Sequence, residues 1–156
     1  MEKHLESLQN AISKLRIADH IVYTTYPLIK DKRLLLKALD SIYESLVFTI
    51  NAILQYDYLH NKINLSNNPK ENFDIFLTKS SKTYGITTEE LRAIIDFFRL
   101  AEAHKKSPME FTRQEKIIIL SENLKTSSLD LDKMRLYLNL GRKMLEKAKL
   151  IVLNTT

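Results

Sequence analysis

A chain of 156 residues with two glycines, Gly85 and Gly141, and three prolines has few places where it can turn tightly. A β-rich fold needs a turn signal about every 8–12 residues, so this shortage selects long helices joined by few loops. The expected class is all-α, an up-and-down bundle of about five helices. With 44% hydrophobic and 28% charged residues the chain can bury a core. Its length suits one domain, and residues 1–156 read as a single helical bundle.

Hydrophobic spacing places the helices. Over residues 3–25, Leu5, Leu8, Ile12, Leu15, Asp19, Val22 and Tyr26 recur at alternating three- and four-residue steps, which makes one stripe facing a partner helix. Pro27 is expected to end that helix. A second helix, Asp31 to about Leu59, carries two apolar rows: Leu35, Leu39, Ile42, Leu46 and Ile53, and beside them Leu36, Tyr43, Val47, Ile50 and Leu54. A helix apolar on two sides is expected at the centre, touching several neighbours. Residues 60–68 read as a loop.

Asn68-Pro69 has the cap and first-turn residues of a third helix, which Gly85 stops. Thr87 with Glu90 is a capping box for a fourth, running to Lys106 and packing through Leu91, Ile94, Ile95, Phe98 and Ala101. Residues 109–129 are the irregular part. Met109 to Gln114 allows a helical turn, and the aliphatic run Ile117 to Leu120 allows a short strand, a β-excursion within the bundle. The closing helix, Asp130 to Val152, has Leu131, Met134, Leu138, Gly141, Leu145, Ala148 and Val152 in strict three–four alternation. Gly141 on that stripe implies close approach by another helix, from this chain or a second copy.

Several chemistries are excluded. There is no Cys, hence no disulfide, thiolate metal site or cysteine nucleophile. His4, His20, His60 and His104 are scattered, and no two lie one helical turn apart as metal ligands would. No glycine-rich phosphate loop or nucleophile elbow occurs. No cofactor and no metal are expected. The charged N-terminus lacks the apolar segment of a signal peptide and no run approaches a membrane span, so the expected location is the cytoplasm, without a membrane partner.

Charge is unevenly placed. Residues 1–104 hold 13 Lys/Arg against 13 Asp/Glu, whereas 105–156 hold 11 against 6, so the net +5 lies wholly in the last third. Lys105, Lys106, Arg113, Arg142 and Lys143 are the candidate contacts for a polyanion, against the plainer reading of a solvated lysine-rich face. Asp19, on the first helix's apolar stripe, is either a site acid or one half of an ion pair between helices. Asn51, between Val47 and Leu54, is either a ligand contact or a satisfied core amide. Arg99 and His104 combine a phosphate-gripping cation with a group that moves protons near neutral pH, the elements of metal-free RNA cleavage.

An Arg followed a few residues later by His, on a helix after a long one containing Asn51-Ala52-Ile53-Leu54, resembles the HEPN domain family. The resemblance implies a helical bundle that forms a homodimer. Some family members are metal-independent endoribonucleases of toxin–antitoxin or defence systems. Others bind nucleotides or serve as partners of nucleotidyltransferases. Here Leu100 follows Arg99 where the family has a polar residue. Five positions on an ideal helix also separate Arg99 and His104 by roughly 140°. The expected function is therefore non-catalytic binding of RNA, nucleotide or a partner protein through the basic C-terminal face. Its alternatives are an endoribonuclease using Arg99 and His104 across a dimer cleft, and a structural bundle with Gly141 in a homodimer seam.

Overall fold

The computed structural model describes residues 2–153. Its helices are α1 (Lys3–His20), α2 (Tyr26–Ile29), α3 (Arg33–Leu59), α4 (Pro69–Ile75), α5 (Ser81–Thr83), α6 (Thr88–Lys106) and α7 (Leu131–Leu153). Single π-helical turns, Ile21–Thr25 and Phe76–Ser80, join α1 to α2 and α4 to α5. Three strands, β1 (Met109–Arg113), β2 (Lys116–Leu120) and β3 (Thr126–Leu129), form an antiparallel sheet between α6 and α7. The expected helical bundle with a β-excursion is what forms.

The long helix α3 is the hub, packed along α1 and α7 and touching α6. Its first apolar row, Leu35, Leu39, Ile42, Leu46 and Ile53, is buried. Small side chains let α1 lie close: Ala11, Ala18, Ala38 and Ala52 are fully buried, and the Ser45 hydroxyl donates to the Ala11 carbonyl at 2.8 Å. Gly141 serves the same purpose on α7. A Cβ there would lie 2.9 Å from Leu15 Cδ1, so the close approach is made by α1 of the same chain and not by a second copy.

Pro27 does not end the first helix, which continues to Ile29 and stops at Lys30 with φ +56°. A proline ring inside a helix collides with the carbonyl four residues back. The wider turn of Ile21–Thr25 changes that geometry, and the Tyr26 amide bonds the Ile21 carbonyl across it. The caps are as expected: Asn68 accepts from the Lys70 amide, and Thr87 and Glu90 form a reciprocal box. Burial alone would raise the Glu90 pKa, but the Thr87 hydrogen bonds and the Lys147 and Lys143 ammonium groups outweigh it and hold the carboxyl below its ordinary value.

On α6 the buried residues are Ile94, Phe97, Leu100 and Ala101, whereas Leu91, Ile95 and Phe98 are only half-buried. Leu100, the departure from the HEPN pattern, is thus a core residue. Met109 to Gln114 is no helical turn; Met109–Arg113 pairs as an edge strand with Lys116–Leu120. Ile117, Ile119 and Leu129 point inward and pad the bundle. Ser107 ties the sheet to the end of α6, its Oγ 2.6 Å from the carbonyls of Met109 and Leu120.

Candidate functional site

The second apolar row of α3 is not fully covered. Tyr43, Val47, Ile50 and Leu54 form the floor of a cleft of about 820 Å³ between α3, α4 and α6. Pro69, Asn72 and Phe73 wall one side, and Phe98 the other. A volume of this size falls in the range of small-molecule and cofactor clefts. The aromatic rings pack edge to face, Tyr43 on Phe98 at 5.5 Å and Phe73 on Phe98 at 5.4 Å, and all three stay partly exposed.

Polar groups converge on this apolar floor. Asn51 lines the cleft, and among the described residues its amide makes no hydrogen bond within the protein. Lys70, Lys105 and Lys106 stand at its rim against one carboxylate, Glu102. Lys106 donates to Glu102 at 2.7 Å, and each group stabilises the other's charged form: the ammonium pKa is raised and the carboxyl lowered. The Lys105 ammonium rests 3.6 Å from the centre of the Tyr43 ring. Of the residues singled out from sequence, Asn51, Lys105 and Lys106 therefore come together.

The others do not join them. Arg99 lies in a smaller hollow of about 230 Å³ with Ser121, Glu122 and Asn123, its side chain 78% exposed and its nearest carboxylate, Asp96, at 3.9 Å. His104 faces away from it, toward α3 and β1. Its Nδ1 donates to Glu110 at 2.6 Å, and its Nε2 lies 3.5 Å from Asp40. Within one chain the two do not converge, as expected from their angular separation. Arg113 is exposed at the end of β1 and Lys143 on α7. Asp19 is half-exposed instead of buried and is ion-paired with Arg142, which also donates to Asn139 at 3.1 Å and lies over Tyr23. The basic last third is thus divided among separate surfaces.

Sequence reasoning missed Asp57. It is 2% exposed and accepts hydrogen bonds from the Ser80 hydroxyl at 2.9 Å and from the Tyr84 hydroxyl. Burial, then the hydrogen bond to Asp57 and its negative charge, push the Tyr84 phenol well above its ordinary pKa. This network pins the C-terminal end of α3 to the π-turn Phe76–Ser80 and the segment after it. Its signal was present: Asp57 follows Ile53 by four residues and continues the buried row.

Among the described residues no group of acidic or histidine side chains has the arrangement of a metal site, and no helix is long and apolar enough to cross a membrane. No family model, no curated protein and no solved structure matches the chain.

Proposed function

We propose that this protein is a non-catalytic, HEPN-like helical module that binds RNA or a nucleotide in the cleft between α3, α4 and α6. The observation that carries the reading is Asn51, an amide with no protein partner in a cleft that joins aromatic rings to a surplus of lysines. The Asn51 amide is open to solvent and committed to no group of the protein, so beside an apolar floor it suits a ligand that brings donors and acceptors. A nucleobase offers a flat apolar face and a polar edge, and its phosphate suits Lys70, Lys105 and Lys106. An Asn amide can pair with a base edge in two hydrogen bonds.

The non-catalytic part of the reading rests on His104. A general base needs a nitrogen open to the proton that it takes. Both nitrogens of His104 face carboxylates, and its side chain is 16% exposed. Its geometry suits a tie between α3, α6 and β1. The endoribonuclease alternative requires Arg99 of one copy to reach His104 of another.

The test is binding of a labelled single-stranded RNA across a salt series, with the RNA checked afterwards by gel. Affinity should fall steeply with salt, and the RNA should remain intact without added metal. Salt-independent or absent binding removes the reading, and cleavage that His104→Ala abolishes replaces it with the endoribonuclease.

A further inference from the structure

The large cleft and the smaller hollow are neighbours that share Glu102 and Lys106. That ion pair, 2.7 Å long with both partners exposed, borders each of them. We infer that the ligand is a strand and not a single nucleotide, with one base in the cleft and the next phosphate across the Glu102–Lys106 pair on Arg99. This rests on the proposed nucleotide-binding role of the cleft.

Arg99 fits the task by its placement. It lies two turns before Lys106 on the same helix, is 78% exposed, and among the described residues its ion-pair contact is Asp96 at 3.9 Å. A guanidinium with so little internal engagement keeps its donors for a phosphate, which it can grip with two parallel hydrogen bonds. The ridge itself supports the crossing. Lys106 and Glu102 are both exposed, and a solvent-screened pair of this kind is weak enough for its ammonium to be shared with a phosphate. Asn123, on the far side of the hollow, already engages the Ser121 hydroxyl through its side-chain oxygen and leaves its amide hydrogens free. A cleft of about 820 Å³ that shares a bordering ion pair with a second hollow suits a ligand that continues beyond it. A free mononucleotide would use the cleft and leave Arg99 idle.

The experiment uses the full chain and a length series: AMP, the adenylate dinucleotide and the adenylate tetranucleotide, in ribose and deoxyribose form, titrated calorimetrically at low salt. Affinity should rise on the order of tenfold or more from AMP to the tetranucleotide. Arg99→Ala should erase most of that rise while leaving AMP binding unchanged, and circular dichroism should show the fold intact, because Arg99 is exposed. The rise is expected in both sugar series, since the named groups touch base and phosphate; the tighter series identifies the natural strand. Equal affinities across the lengths, with Arg99→Ala silent on all of them, would overturn the strand while keeping the nucleotide cleft. Failure of every ligand to bind would overturn both.

Discussion

Two polar regions flank the same helix, and they have opposite fates. Toward the C-terminal end of α3, Asp57 is buried and both its oxygens are satisfied, by Ser80 and Tyr84. Less than two turns earlier, Asn51 faces an open cleft with no partner among the described residues. A buried carboxylate is tolerable only when hydrogen-bonded, so Asp57 is part of what holds the fold together. An accessible amide has no such obligation, because water satisfies it until a ligand does. The lesson concerns where to look for function. Net charge alone does not single out the cleft, since Arg142 is as basic as Lys105 yet is engaged by Asp19. The distinction lies in whether a group's hydrogen-bonding capacity is met inside the protein.

Substitutions on the two sides should therefore separate stability from binding. The largest effect is expected from Asp57→Ala. It removes the shared acceptor of the buried Ser80 hydroxyl and the half-buried Tyr84 hydroxyl and should cost about 2–3 kcal/mol, lowering Tm by roughly 8 °C in a thermal melt. If the melt hardly moved, the network would not be structural and the contrast would collapse.

Next is the double charge reversal Lys105→Glu with Lys106→Glu. It should weaken RNA binding on the order of 10- to 100-fold at low salt while leaving the melt within about 0.5 kcal/mol of wild type. An unchanged affinity would move the interface elsewhere, with Lys143 and Arg113 the next to examine.

Asn51→Leu comes third, with a loss in affinity of about fivefold and stability unchanged or slightly higher, because no internal hydrogen bond is broken. A clear drop in Tm would mean that Asn51 belongs with Asp57 on the structural side.

The smallest effect is a pH dependence. The Tyr84 phenol has a folded pKa raised above its ordinary value of 10.0. Its contribution is therefore complete below that value and is lost as pH climbs through the folded pKa. The stability advantage of wild type over Tyr84→Phe should be flat from neutral pH to about pH 9 and shrink above pH 10. A constant difference up to pH 11 would detach Tyr84 from the Asp57 network.

Much of the architecture was legible because it is written in local signals. The cap at Asn68, the box of Thr87 and Glu90, and the stripe from Leu131 to Val152 each involve residues within a few turns of one another. The sheet was harder to read. Its turns place Gln114 and Leu124 at positive φ where glycine or asparagine would have announced them. The π-turn before Pro27 carries no composition signal at all, so the proline looked like an end.

By itself the sequence determined the helical class and most helix boundaries, and it offered candidate ligand contacts. Asn51, Lys105 and Lys106 were each visible for a separate reason. Only the tertiary structure decided that they share one cleft, that Asp19 is taken by Arg142, and that Gly141 receives Leu15. The physical reason is range: caps and stripes are settled by neighbours along the chain, whereas whether a polar group is satisfied depends on side chains brought in from 23 positions away for Asp57 and Ser80 and from 123 for Asp19 and Arg142. Which polar groups remain open is fixed only when the helices pack.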